Sequence, residues 1–198
     1  MKEMWNNRYR AEGYAYGLIP NDSLVEQHYR IKKNGKVLCI AEAEGRNALF
    51  LARNGFQVTA VDYSEVGIRK IQERAFEENL DIETFTAHLE HFNMGSSKWD
   101  AIVSIFAHMP SSTRKLVHEN IQKALVKEGI LLLEAYTPAQ LDFKTGGPKD
   151  SDMMMSLDSL HHELADLQPI VAQEIEREIH EGKYHYGRSS VVQYIGKK

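Results

Sequence analysis

VLCIAEAEGRNALFLARNGFQVTAVDYSEVG, residues 37–67, decides how this chain is read. It opens with a short apolar run, Lys36–Ala41, just after the turn dipeptide Asn34-Gly35. Such a run, rich in Val, Leu and Ile, suits a strand covered on both faces. Asn47–Asn54 then carries Ala48, Leu49, Leu51 and Ala52 on one helical side, and Gly55 stops it. Gln57–Val61 is a second strand ending at Asp62. Ser64 has the short side-chain oxygen that caps a helix running to about Asn79, with Ile68, Ile71 and Ala75 on its stripe.

Outward from this unit the rhythm repeats. Ile82–Ala87 and Trp99–Phe106 read as strands, Ser111 or Ser112 as the cap of a helix to Leu125, and Gly129–Tyr136 as a fifth strand. Strand, helix, strand at this spacing calls for βαβ units and a mostly parallel, doubly wound α/β sheet. Thr137–Asp152 reads as a loop and Leu157–Leu164 as a short helix. Val171–His180 and Lys183–Gly196 read as a hairpin turning near Glu181-Gly182, its register undetermined. With 198 residues, one domain is expected over 1–198, with residues 1–30 as an N-terminal arm.

Composition excludes several classes. The one cysteine, Cys39, rules out a disulfide framework and reads as a packing residue. No run of 18 apolar residues marks a membrane span, and the first ten residues lack the apolar core of a signal peptide. A cytoplasmic protein with no membrane or nucleic-acid partner is expected, since a net charge of -4 offers no basic footprint. The adjacent His161 and His162 point apart on a helix, so no metal site is expected.

The segment Ala41–Asn47 is a turn of small residues between a first strand and a first helix, where a ligand can approach backbone. Asp62 at the end of the next strand suits ribose hydroxyls. Yet only Gly45 is glycine, and Glu42 and Glu44 stand where a pyrophosphate needs donors. The loop therefore favours a phosphate-free, positively charged cofactor, a description that S-adenosylmethionine (SAM) meets. The bland alternative is an ordinary strand-to-helix turn, with Asp62 placed by the dipole of the next helix.

At this point the chain resembles the small class I SAM-dependent methyltransferases of the tellurite-resistance and thiopurine methyltransferase-like family. The resemblance is carried by WNNRYRAEGYAYGLIPNDSL (5–24), residues 37–67, WDAIVSIFAHMP (99–110), GGPKDSDMMMSLDSLHHEL (146–164) and EGKYHYGRSSVVQYIGKK (181–198). It implies a seven-stranded, Rossmann-like sheet whose last strand is antiparallel. It implies SAM bordered by Ala41, Glu42, Ala43 and Gly45, with Asp62 on the ribose and Tyr63 flanking the adenine. His88 and Leu89 would read the adenine edge, and Phe106 and His108 would lie beside the methyl group. Trp5, Arg10, Asn47 and Ser64 complete the cofactor-side candidates. Two positions depart from the family. Alanine replaces the usual glycine at 43, which a negative φ would tolerate. Histidine stands at 88, where an acid is common.

Methyl transfer needs an aligned nucleophile and a dry site more than an acid–base machine. His108, Arg177, His185 and Arg188 are the catalytic or acceptor-side candidates, weighed against a turn histidine and an exposed charged face. Arg177 and His185 face one another in one register of the hairpin. The arm's Trp5, Arg8, Tyr9, Arg10, Tyr14 and Tyr16 suit a lid that dries the site, and Met153–Met155 an adaptable wall. The acceptor implied is small and soluble: a tellurium or selenium oxyanion, or a thiol. Two alternatives stay open, a SAM-binding regulatory protein without transfer and a nicotinamide-dependent oxidoreductase. Oligomeric state is not legible.

Overall fold

The computed structural model describes residues 2–198. One seven-stranded sheet runs β3-β2-β1-β4-β5-β7-β6. Its strands are β1 (Lys36–Ile40), β2 (Gln57–Asp62), β3 (Ile82–Thr86), β4 (Trp99–Ile105), β5 (Leu125–Tyr136), β6 (Gln168–Glu181) and β7 (His185–Lys197). The pairs among β1–β5 are parallel, and β7 runs antiparallel to both β5 and β6. This is the Rossmann-like sheet of class I methyltransferases, with the antiparallel strand where the sequence places it.

Strand residues divide between two cores by alternation. Val37 and Cys39 of β1 and Ile130 and Leu132 of β5 pack with Ala48 and Leu51 of α3 (Arg46–Arg53) and Ile68 and Ile71 of α4 (Glu65–Glu77). Leu38, Ile40, Leu131 and Leu133 pack on the other face with Val117 and Ile121 of α5 (Ser111–Ala124) and Leu160 of α7 (Leu157–Glu163). Both faces of the central strands β1, β4 and β5 are covered, so these read as near-continuous apolar runs, while the edge strands β3 and β6 stay largely exposed. Cys39 is fully buried among apolar neighbours.

Some boundaries move for local reasons. Ser64 caps α4 as expected, accepting from the Gly67 N–H. Neither Ser111 nor Ser112 caps α5. Pro110 occupies that position, and the Asp152 carboxylate accepts from the Ser111 N–H instead, reaching from a loop far along the chain. The arm contains α1 (Lys2–Arg10) and α2 (Asp22–Gln27), and the loop after β5 contains the short α6 (Gln140–Phe143). The hairpin register pairs Glu181 with His185 and Arg177 with Ser189, so Arg177 and His185 are not opposite one another.

Candidate active site

The carboxyl ends of β1 and β4 hold the strained backbone. Ala41, Ala43 and Phe106 all have positive φ, at 50°, 57° and 52°. For residues with a Cβ this conformation costs about 1–2 kcal/mol each. Ala43 therefore does not keep the negative φ that would have made its methyl group innocuous. The loop turns so tightly that Ala43 is held at both ends. Its N–H donates to Asp62 Oδ2 at 2.8 Å, and its carbonyl lies against Gly67, where an added Cβ would sit 2.3 Å from that oxygen. Only glycine at 67 lets α4 start this close.

The three carboxylates of this region are all engaged. Asp62 accepts from Ala43 N and Ser64 N, tying the loop to α4. Glu42 accepts from Asn47 N and Ala48 N at the start of α3. Glu44 accepts from Ala15 N at 2.7 Å and pairs with Lys70 at 2.6 Å. Burial pushes the Glu42 carboxyl up to about 7 against the hydrogen bonds of α3. Burial likewise pushes Asp62 up to about 6, with Ser64, Ala43 and Tyr63 N–H groups pulling the other way. A cation is the ligand charge that would relieve both.

Beside this loop, Tyr63 and His88 meet edge to face with ring centroids 5.0 Å apart. Leu89 packs partly against the core. Asn47 is buried, its side chain accepting from Asn21 N at 2.9 Å. Ser64 is also buried, and donates to the Asn6 side chain at 2.6 Å while its own N–H reaches Asp62. These two candidates hold the loop and arm in place.

The arm closes the site from the other side. Tyr9 packs with Val66, Trp5, Tyr16 and Ala43, and Trp5 stacks on Tyr9 at 5.8 Å. Ala15 bridges two distant segments, its N–H on Glu44 and its carbonyl accepting from Lys183 N. Arg10 turns outward to Glu3 and Asn7. The arginine of the arm that turns toward its aromatic side chains is Arg8, stacked over Trp5 and Tyr184 and donating to the Tyr16 hydroxyl.

Beneath the arm lies a buried ionic cluster. Glu134 accepts from Asn21 at 2.8 Å and Arg177 at 2.5 Å on one oxygen, and from Gln193 on the other. Glu181 accepts from Asn21 and from Arg46, the latter at 2.5 Å. Burial opposes the charge on Glu181, but Arg46 and His185 hold its carboxyl down at about 2. Arg177 is thus committed to structure: it cross-braces Glu134, Glu181 and Asp22.

At the ends of β4, β5 and β7 the side chains are rings. Phe106 lies 4.6 Å from Tyr136 and 4.8 Å from His185, and Tyr16 of the arm lies 4.6 Å from His185. His108 stacks on Tyr136 at 5.5 Å. Both its ring nitrogens are taken, Nδ1 by the Met153 carbonyl at 2.9 Å and Nε2 by the Tyr136 N–H at 3.3 Å. Burial pushes its pKa down to about 4, partly offset by Met153. A neutral ring with both nitrogens occupied orients the end of β5 and takes no proton from an acceptor. His185 differs: its buried Nδ1 has no close hydrogen bond and faces the Glu181 carboxylate at 3.8 Å.

The structure therefore gathers Ala41, Glu42, Ala43, Gly45, Asp62, Tyr63 and His88 on one side and Phe106, His108 and His185 on the other. Arg188 stays outside, 68% exposed and paired with Glu176. Met154 and Met155 are core residues rather than a wall of the site. Sequence reasoning missed Tyr136, Glu134, Glu181 and Arg46. One signal was available, the acid inside the apolar run Gly129–Tyr136, because a charge in a covered strand demands buried partners. No helix among the described residues is long and apolar enough to cross a membrane.

Residues 6–140 match the family model described as tellurite resistance protein TehB. No curated protein matches. Among solved structures, one described as the conversion of a disulfide bond into a thioacetal group during echinomycin biosynthesis is similar over 100% of this chain and 91% of its own, at 15% identity and TM-score 0.80. TehB from Haemophilus influenzae is similar over 100% of this chain and 66% of its own, at 20% identity and TM-score 0.75. A SAM-dependent methyltransferase from Methanosarcina mazei is similar over 91% and 99%, at 15% identity and TM-score 0.73.

Proposed function

Because this chain belongs to the TehB tellurite-resistance family and has the class I methyltransferase fold, we propose that it transfers a methyl group from SAM to a small acceptor. The observation that carries this reading is the pair of buried acids, Glu42 and Asp62, beside a strained turn of small residues. Burial has raised both, so a ligand bearing ammonium and sulfonium charges gains by ionising them. A pyrophosphate would meet the same carboxylates as repulsion. Asp62 keeps lone pairs beyond the two N–H groups it accepts from, enough for ribose hydroxyls. Tyr63 and His88 form the edge on which an adenine would lie.

SAM supplies an electrophilic methyl group on a good leaving group. The chain's own contribution is alignment and exclusion of water. Phe106, held at positive φ, turns its ring toward Tyr136 and His185, and the arm covers them with Tyr16 and Arg8. The chamber is small and aromatic, and burial pushes the pKa of its imidazoles His108 and His185 downward, against the pull of Glu181 on His185. We assign it a compact, soft nucleophile: a tellurium or selenium oxyanion or a thiol. Arg188 lies too far outside to hold such a group without moving, and Arg177 is already spent on Glu134.

The test is calorimetry with SAM, then a mass-spectrometric screen of tellurite, selenite and small thiols with labelled-methyl SAM. Micromolar SAM binding and enrichment of one methylated product are expected. Absence of binding at high micromolar SAM rejects the cofactor assignment.

A further inference from the structure

The arginines around the site are nearly all spent on carboxylates. Arg46 pairs with Glu181, Arg177 with Glu134, Arg188 with Glu176 and Arg10 with Glu3. Arg8 is the exception. Among the described residues no carboxylate pairs with it, and its one hydrogen bond runs from Nη1 to the Tyr16 hydroxyl at 2.9 Å.

The surroundings of Arg8 hold the cation without neutralising it. Its guanidinium carbon lies 4.7 Å from the Trp5 ring centroid and 4.4 Å from that of Tyr184. Aromatic faces stabilise a cation but supply no acceptor in line with its N–H groups. They also pin a flexible side chain, so a ligand docking on it costs little further ordering. Nε and Nη2 donate to nothing among the described residues, and their spacing matches two oxygens of one carboxylate or oxyanion.

Tyr16 ties this cation to the ring chamber. Its ring lies 4.6 Å from His185 and 6.0 Å from Tyr184. The charge of Arg8 is felt on both sides of the site. Burial is the main influence on His185 and Tyr9. Beyond burial, Arg8 adds to the fall of the first and resists the rise of the second, whose hydroxyl also feels Asp62. The guanidinium is within electrostatic reach of the chamber and of the cofactor turn.

We propose that Arg8 is the anion receptor for the methyl acceptor, so the site selects an acceptor with a negatively charged group beside its nucleophilic atom. The assignment rests on the SAM-transferase reading above. A selenium or tellurium oxyanion meets it with its oxygens, and a thiol with a carboxylate close to the sulfur. The nucleophile's lone pair forms the bond to the methyl carbon as the carbon–sulfonium bond breaks, and that electron pair stays on the cofactor's sulfur. A thiol gives its proton to water before attack.

The experiment uses the full chain, labelled-methyl SAM and three probes: selenite, mercaptoacetate and 2-mercaptoethanol. The two thiols are similar in size and differ in the carboxylate. Wild type is expected to favour mercaptoacetate over 2-mercaptoethanol roughly tenfold or more in kcat/KM, the effect of a hydrogen bond to a charged group. Arg8→Met keeps a long side chain against Trp5 and Tyr184. It should raise the KM for mercaptoacetate and selenite roughly 10–100-fold, while the 2-mercaptoethanol KM and SAM affinity stay within about twofold. It should also weaken calorimetric binding of either anion to the protein saturated with S-adenosylhomocysteine. Arg8→Lys should restore part of the loss, since it keeps the charge without the fork. Equal effects on both thiols mean that Arg8 only steadies the arm, and a fall in SAM affinity instead means that it serves the cofactor's own carboxylate. Either result overturns the assignment. So does a wild type with no preference between the thiols, or one whose S-adenosylhomocysteine complex binds neither anion. Failure to bind SAM at all defeats the transferase reading instead.

Discussion

The two halves of the site solve opposite problems. On the cofactor side, every carboxylate has its donors in place: Glu42 on α3, Asp62 between loop and α4, Glu44 on the arm and Lys70. On the acceptor side, the Arg8 guanidinium has no carboxylate partner among the described residues. The first half is built mainly from one local stretch, whose own backbone supplies the donors to Glu42 and Asp62. The second is assembled from β4, β5, β7 and the arm, which meet only in the folded sheet. A pre-organised half suits an invariant cofactor, and an unsatisfied half suits a ligand that brings its own partners.

The strongest way to break that contrast is to remove Glu181, which anchors the acceptor side. Glu181→Ala strands Arg46 and Asn21 and weakens the bracing of Arg177, and loss of one partner in a buried pair costs about 3–5 kcal/mol. Urea unfolding should show this, with SAM affinity measured under fully folded conditions falling far less. Next, Asp62→Ala frees the Ala43 and Ser64 N–H groups and the ribose position together. SAM affinity should drop roughly 10–100-fold by calorimetry, since a hydrogen bond to a charged group is worth about 1.5–3 kcal/mol. An equal loss of acceptor binding in that variant would erase the distinction between the halves.

The pH dependence sharpens it further. Glu42 and Asp62 ordinarily titrate near 4.5 and 3.8, and the fold raises them to about 7 and about 6. The folded protein therefore holds protons that the unfolded chain has already shed. These two groups make stability fall as pH rises from about 4 to about 7. A bound cation favours proton loss, so SAM affinity should rise several-fold between about pH 5.5 and 7.5. Glu42→Gln should flatten much of that rise, and a slope unaffected by this change would place the coupling elsewhere. The smallest expected effect is on the strained turn. Ala43→Gly at φ 57° should stabilise the protein by about 1 kcal/mol in thermal or urea melts.

The legibility of the sequence follows the same division. Lys36–Asp62 and the Ser64 cap were readable because their signals are local: period, turn residues and a capping oxygen. The antiparallel strand was readable as a hairpin, but its register was not, because alternation in β7 is interrupted by Ser189 and Ser190, both buried. Arg177 and Arg188 looked like anion receptors. Whether a guanidinium is free depends on Glu134 and Glu176, and no spacing rule pairs those. Tyr136 carried no motif at all. Its place depends on Gly146 and His185 packing against it, ten and 49 residues further along. The loop after β5 hid the cap of α5 in the same way, since Asp152 serves a helix that begins at Ser111.

Ala15 has a consequence for how the molecule comes into being. Its N–H is held by Glu44 and its carbonyl holds Lys183, a residue of the hairpin turn. The hairpin side of this clasp must wait until the sheet has grown out to β7, because closing so long a loop early is entropically unrewarded. Folding therefore yields a sheet with its cofactor turn before it yields an enclosed chamber. Until Ala15 joins Glu44 to Lys183, the arm does not tie the cofactor turn to the hairpin, so the enclosure of the site depends on contacts far apart in the chain.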